Sequence, residues 1–463
     1  MPASGSSTFS PPQTAGSTAE VAHDKTAASP AARVVIWGIN YAPETTGIAP
    51  FNTELAEDLA AAGHPVEVVT AFAYYPQWKK APEDRFRLYR TDRRNGIAVH
   101  RCFQYLPGKV TTLRRIFHEL SFGVTSFLRV LSLPRADVYF VASPPLGLGF
   151  MAWLATRLKG SRYIFHVQDL QPDAAVGLGM LRKGAFVRAL FWLERFAYSH
   201  AAAVSGISSG MIDAFRRKGV PAERCVLFPN WLRGAAPTTG ERGASTFRAR
   251  HGVAADDFLA VYSGNLGHKQ GIEILLDAAE LLHRRSGSDP AASRVRILIV
   301  GAGAARESLG QQIAARRLPN LKMLPLLDDA DYAAMLSEAD VGLITQAAGT
   351  GGCFFPSKLL TVLRSRLPVV TVADDDSELA KAVAEGGFGL NSLPGHAEDL
   401  ATNLERASGD PAVLTELKAR TTWVDQFHPR HVLPQFRRRL AEIAGGDRGS
   451  EMDFETERAP VRS

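Results

Sequence analysis

Two lysines in the second half of the chain stand behind glycine-rich loops. Lys269 follows "YSGNLGH" and Lys358 follows "GTGGCFFPS", each near the start of a segment with helical periodicity. An ammonium group at a helix amino end adds its charge to backbone N–H groups and the helix dipole. That combination holds a phosphate and takes up negative charge as a bond to it breaks. An exposed surface lysine is the alternative reading of each. In the first half, His166 ends the run "RYIFHV", and Asp169 and Asp173 follow in "VQDLQPD". The carboxyl end of a strand opens on the crevice where open α/β sheets bind ligands, so His166 is expected to point there. The two aspartates could bind hydroxyls in that crevice or cap the next turn.

These residues need strands and helices to hold them. "VVIWGI", "VEVVT", "IAVHRCF", "DVYFVA", "RYIFHV" and "AAAVSGI" are short apolar runs separated mostly by helical segments. That alternation predicts a parallel sheet with helices on both faces. A second series, "DFLAVYSG", "VRILIVGAG", "LKML", "ADVGLIT" and "LPVVTVA", predicts another domain of the same kind. The fold class is therefore α/β, two doubly wound Rossmann-like domains facing a central cleft. The expected boundaries are 33–231 for the first domain, 232–246 for a Gly/Pro/Thr-rich linker and 247–425 for the second. A terminal helix over 426–444 packs back on the first domain. The Ser/Ala/Pro/Thr-rich residues 1–32 and the end 445–463 have little to bury and read as disordered tails. In the opening loop, "GINYAPETTGI", Gly47 stands before a helix amino end, where a backbone amide can approach a phosphate or simply make a tight turn.

Composition narrows the class. Apolar residues are 46% and charged residues 22% of 463, as in a globular protein with room for two cores. Three scattered cysteines make neither a disulfide framework nor a zinc site, which fits a reducing cytoplasm. No signal peptide or membrane-spanning run is evident, since "LGLGFMAWLAT" is cut short by Arg157. Charge is uneven: residues 33–231 hold 25 Lys and Arg against 15 Asp and Glu, which is +10 of a total of +6. Within 79–135 the count is 13 against 4, which points to an anionic partner. Nucleic acid is not expected, because no recognised motif accompanies the charge.

In combination and order, "GINYAPETTGI", "SPPLGLG", "FHVQDLQPDAAVGLGM", "YSGNLGHKQGIEILLDAAELL" and "GTGGCFFPSKLLTVLRSRLPVV" resemble the glycosyltransferase family 4 branch of the GT-B fold. More narrowly they are similar to the colanic-acid and O-antigen biosynthesis glycosyltransferases. The resemblance implies a nucleotide-sugar donor, GDP- or UDP-linked, whose diphosphate meets Lys269 and Lys358. Asn265, Gly301, Gly303, Gly352, Cys353, Phe354 and Ser357 would line the donor site with Gly47, and Leu326 would hold the base by its main chain. His166 and Asp169 would sit beside the reacting centre. Two departures stand out. The family's E-x7-E carboxylates fall on Cys353 and Thr361, and its arginine after the first phosphate-loop glycine is Asn265. Backbone amides of 351–354 are expected to take over part of the lost work.

The resemblance further implies transfer with retention of configuration, without cofactor or metal. "ADDDSEL" follows an apolar run and precedes a helix, so Asp376 or Ser377 is expected to cap that helix rather than bind a cation. "ILIVGAGAARESL" has Arg306 where a dinucleotide fingerprint needs its third glycine. Over 112–132, Leu113, Ile116, Phe117, Leu120, Val124, Phe127, Leu128 and Leu131 form one helical stripe, part of which must cover the sheet. With Arg114, Arg115 and an exposed Trp78 this basic region fits a polyprenyl diphosphate-linked saccharide acceptor in an anionic membrane surface. The expected protein is a cytoplasmic glycosyltransferase, peripheral on the inner face of the plasma membrane. The alternatives are a catalytically weak nucleotide-sugar-binding scaffold subunit, favoured by the missing carboxylates, and an epimerase, for which no acid–base pair is visible.

Overall fold

The alternating runs build two sheets in the computed structural model, which describes residues 31–108, 111–173, 184–233, 246–350 and 357–445. The first contains β1 (Val34–Trp37), β2 (Val66–Ala71), β3 (Tyr89–Arg94), β4 (Ile97–Cys102), β5 (Val138–Ser143), β6 (Arg162–Val167), β7 (Ala203–Gly206) and β8 (Cys225–Leu227). Their order is β3-β4-β2-β1-β5-β6-β7-β8. All neighbours are parallel except β3 and β4. The second contains β9 (Phe258–Asn265), β10 (Val295–Ala302), β11 (Leu321–Leu324), β12 (Val341–Thr345), β13 (Val369–Val372) and β14 (Gly389–Ser392), in the order β11-β10-β9-β12-β13-β14, all parallel. In each sheet the winding reverses beside the first strand, at β1/β5 and β9/β12. Such switch points open crevices at the carboxyl ends of the strands. The tails at 1–30 and 446–463, and the linker from 234 to 245, lie outside the described residues.

Strand periodicity sorts the first sheet's side chains onto two faces. Trp37, Tyr139, Val141, Tyr163 and Phe165 share one core, while Ile36, Phe140 and Ile164 share the other with the helix Ala49–Ala61. The chain's last helix, Pro429–Gly445, crosses back to close that second face. Phe436 stacks on Phe228 at 3.8 Å, Arg437 pairs with Asp58 at 2.5 Å, and Arg162 donates to the Ile443 carbonyl at 2.7 Å. A helix that follows the second sheet in sequence thus completes the core of the first.

Three elements depart from the expected pattern. β3 is an exposed edge strand, "YRTDRR", with no apolar alternation. It pairs with β4 through Asn95 (φ 48°) and Gly96 (φ 81°), a two-residue turn in which both positions need positive φ. Some of the positive charge of 79–135 is spent here: Arg90 pairs with Asp84 and Asp92, and Arg101 with Asp92. β14 has one strong hydrophobe, Leu390, and also escapes the pattern. The helix Thr112–Ser132 turns little of its apolar stripe inward: Phe127 packs on the core, as covering the sheet requires, yet most of the core-facing side lies off the stripe. Its inward residues are His118, Phe122, Ser126 and Val130, with Ser126 accepting from the Trp37 indole at 2.9 Å. Most of the apolar stripe is outside: Leu113 is 70% exposed, Phe117 61% and Leu120 51%.

Candidate active site between the two sheets

Lys358 lies in the first turn of the helix Ser357–Arg364 and reaches back over the end of β9. Its ammonium donates to the Tyr262 hydroxyl at 2.9 Å and sits 4.4 Å from that ring's centroid. Tyr262 in turn donates to the Asn265 carbonyl at 2.9 Å. The lysine stem crosses Gly264, where a Cβ would stand 2.3 Å from Lys358 Cε, so a side chain there would evict it. Burial lowers the Lys358 pKa to about 8, and the neighbouring Lys269 ammonium pushes the same way. A buried ammonium with a second positive charge beside it is poised for a polyanion, which offsets both causes of its lowered pKa. Lys269 comes from the turn His268–Gln270, anchored where its carbonyl accepts from the Ala347 amide at 3.0 Å.

The glycines of β10 have a different job from the one expected. A Cβ on Gly301 would stand 2.0 Å from the Gly264 carbonyl oxygen, and one on Gly303 2.4 Å from that of Leu266. The space is taken by the loop 264–267 and not left open for a nucleotide. Leu266 donates to the Ala302 carbonyl and accepts from the Ala305 amide, both at 2.8 Å. The pair therefore clamps the loop that carries Asn265, exposed at the end of β9, and leads to Lys269. Arg306 fills the place of a fingerprint glycine by donating to the carbonyls of Gly301 and Leu324. Leu326 is 66% exposed, on the loop before the helix Asp329–Glu338. Gly352, Cys353 and Phe354 lie outside the described residues, and Ser357 is placed only as the first residue of its helix. Ser377 caps the helix Glu378–Gly386 by accepting from the Ala380 amide, and Asp374 accepts from the Gly349 amide. Among the described residues no group of His, Cys, Asp and Glu is assembled as a metal site would be.

The first sheet contributes Asp169. Burial raises its pKa, while Lys269 and then Arg115 pull it down. The carboxyl group thus stands within electrostatic reach of a lysine from the second sheet and an arginine from the helix Thr112–Ser132. Lys269 is thus the common neighbour, acting on Lys358 within its own domain and on Asp169 across from it.

His166 is not in the crevice, which corrects the expectation from its strand-end position. It shares the face of Ile164, and its ring is 2% exposed, 5.0 Å from Phe140 and 5.4 Å from Phe228. Burial pushes its pKa down to about 3, so the ring is neutral. The Gln168 side-chain amide meets Nε2 at 2.8 Å as donor, which leaves the ring proton on Nδ1, facing Ser205 Oγ at 2.8 Å. Gln168 and Asn230 exchange two amide hydrogen bonds at 3.1 Å. His166 therefore acts on the crevice through Gln168. Sequence reading missed Gln168, Asn230 and Tyr262; the strand-end "VQD" pattern was the signal for the first.

Asp173 is a structural anchor, paired at 2.5 Å with Lys218, which also holds Glu194 at 2.6 Å. Gly47 has φ 65°, a left-handed turn just ahead of the helix Ala49–Ala61. Its loop is tied down by the buried Glu44, which accepts from the Tyr74 and Tyr75 amides at 2.8 and 2.9 Å. Trp78 is half-buried against Tyr74 and His118, not an exposed anchor as expected. Arg114 and Arg115 are exposed, and Arg115 pairs with Glu119 at 3.0 Å.

Known proteins with the same pattern were found at each level. Residues 46–231 match the family model "Glycosyl transferase 4-like domain", and 244–423 match "Glycosyl transferases group 1". The chain is 33% identical over 356 residues to "Putative colanic acid biosynthesis glycosyl transferase WcaI" of Escherichia coli (strain K12), covering 75% of this chain and 85% of that one. In fold it is similar to sucrose-phosphate synthase from Thermosynechococcus elongatus (TM-score 0.68, 17% identity, 90% of this chain and all of that one). It is also similar to Anabaena HepE, solved in complex with UDP (TM-score 0.58, 16% identity, 89% of this chain and all of that one).

A lysine whose pKa is about 8 is charged below that pH and loses its charge above it. Affinity for UDP or GDP, measured by calorimetry at constant ionic strength, is expected to fall between pH 7.5 and 9, by up to roughly tenfold per unit. Lys358→Arg, whose charge persists, should flatten that profile. A wild-type affinity that is level or rises over this range contradicts the assignment.

Proposed function

The chain belongs to the GT-B glycosyltransferases, and from that premise we propose that it moves a sugar from a nucleotide-sugar onto a lipid-linked saccharide. The donor is a GDP- or UDP-linked hexose or deoxyhexose, and the acceptor a polyprenyl diphosphate saccharide in the assembly of colanic acid or a related exopolysaccharide or lipopolysaccharide. The observation that carries this reading is Lys269, whose charge acts on the Lys358 ammonium of its own domain and on the Asp169 carboxyl group of the other. The kinship with WcaI supports the pathway, and the UDP complex of HepE is consistent with such a donor on this fold.

The chemistry follows from the charges. The donor diphosphate lies against the two ammonium groups. As the bond from the anomeric carbon to the phosphate oxygen opens, its electron pair goes to that oxygen, and the lysines hold the growing charge. The acceptor hydroxyl approaches on the same face, bonds to the anomeric carbon and gives its proton to the departing phosphate oxygen. Configuration is retained. Asp169 orients a hydroxyl of the acceptor or donor sugar, and the lysines supply the positive charge that a metal would otherwise bring.

The exposed stripe of the helix Thr112–Ser132 meets the membrane that holds the acceptor. Phe86 (90% exposed) and Trp192 (61%) are further exposed hydrophobes of the same domain, where Arg85, Arg87, Arg114, Arg188 and Arg195 are exposed as well. Burying one such hydrophobe contributes roughly 1.5–3 kcal/mol when complete, and each basic residue near an anionic surface about 1 kcal/mol. Both terms are needed for firm attachment. No described helix is long and apolar enough to cross a membrane; the attachment we propose is peripheral, on the inner face of the plasma membrane.

A thermal-shift screen against GDP, UDP and their sugar conjugates, with and without EDTA, tests the donor. One nucleotide should raise the melting temperature, insensitively to EDTA, and Lys358→Ala should abolish the shift. Absence of any shift overturns the reading, and a shift that requires a divalent cation overturns metal independence. Sedimentation with phosphatidylserine vesicles tests the membrane face. Wild type should bind and be partly released by salt, while Phe117→Glu should bind about tenfold more weakly. Indifference to both lipid charge and this substitution removes the membrane from the account.

A further inference from the structure

Glu378 opens the helix that follows β13, yet its carboxylate is spent on the other sheet's domain. It is 7% exposed. Oε2 accepts from the Gly210 amide at 2.9 Å and from the Ser209 hydroxyl at 3.2 Å. These belong to the first turn of the helix Ser209–Arg217, which follows β7 and is capped by Ser208. A carboxylate at a helix amino end satisfies orphan N–H groups and meets the positive end of the dipole. The fit is close: a Cβ on Gly210 would stand 2.2 Å from Glu378 Oε1. Lys381, on the same helix as Glu378, lies 3.7 Å from that oxygen.

The far end of the helix Ser209–Arg217 is also tied. Lys218, its carboxyl-terminal cap, pairs with Asp173 at 2.5 Å and with Glu194 at 2.6 Å. Tyr198 donates to the same Glu194 at 3.0 Å, so this end is fixed to the helix Ala185–His200 as well. Asp173 is four residues beyond Asp169, in the short segment that leaves β6. A single helix is therefore held by the second sheet's domain at its amino end and by the Asp169 loop at its carboxyl end.

We propose that Glu378 is a positioning residue, which fastens the second domain to the helix Ser209–Arg217 and, through Lys218 and Asp173, sets the loop carrying Asp169 opposite Lys269. The proposal rests on the reading of Asp169 and Lys269 as parts of the transfer site. It explains why a buried acidic residue leads the helix after "ADDD", where a solvent-facing one would cap its own helix equally well.

Hydrogen exchange of the full-length protein, without substrate, tests the link. Glu378→Ala should speed exchange by about tenfold or more in peptides covering 208–212 and, as the decisive readout, in 168–173. Glu378→Gln keeps an acceptor oxygen for the Gly210 amide and should restore most of the protection. Should Glu378→Ala fail to fold, Gly210→Ala displaces the same carboxylate and must give the same pattern. Acceleration confined to 208–212, or spread evenly over β9 and β10 as well, overturns the proposal. A wild-type protein that shows this coupling yet binds neither UDP nor GDP would instead discredit the reading of the site.

Discussion

Two ammonium groups that repel each other, Lys269 and Lys358, set the terms for the second domain. Burying one of them costs free energy, and the charge of the other adds to it; both lower the pKa of Lys358. The fold meets that cost with geometry. Gly264 leaves a channel for the lysine stem, Tyr262 accepts from its ammonium, and Gly301 and Gly303 let the loop 264–267 press onto β10. None of these residues needs to touch a substrate to be indispensable. They hold the Lys358 ammonium in place over the end of β9.

The first domain answers with the opposite charge and an apolar exterior. Asp169 is the carboxyl group within reach of Lys269, and Gln168, steadied by neutral His166 and by Asn230, stands next to it. Farther out, Arg115 joins the crevice to a helix whose outer face is greasy. The terminal helix Pro429–Gly445 matters here because it closes the aromatic layer of Phe140, Phe228 and Phe436 that immobilises His166. Polar groups in that layer are satisfied by one another, as buried polar networks must be.

Much of the architecture was legible because buried parallel strands announce themselves as short apolar runs between helices. β3 was hidden because an edge strand need not alternate; only its Asn95–Gly96 turn betrays it. His166 was misplaced because a strand-end position fixes which end of the sheet a residue occupies, while the pleat decides which face. The stripe on the helix Thr112–Ser132 was read correctly as a stripe, yet its direction was not readable. The inward face uses Ser126 and His118 to satisfy the Trp37 indole and the Tyr105 carbonyl, so the more polar side faces the core. The place of the two lysines, behind glycine-rich loops at helix starts, was legible from spacing. Their mutual repulsion, and the tyrosine between them and the sheet, were not, since both depend on contacts between residues about a hundred positions apart.

In the proposed function, charges from the two domains perform a transfer and do not merely hold a nucleotide-sugar. The most direct measurement supplies the purified protein with UDP- and GDP-linked hexoses and a polyprenyl diphosphate saccharide in anionic vesicles, and follows the acceptor by mass spectrometry. An acceptor heavier by one sugar residue is expected, with one equivalent of nucleoside diphosphate released and the anomeric configuration of the donor preserved. Tight binding of a nucleotide-sugar without any mass gain on the acceptor would contradict it and identify the chain as a binding subunit.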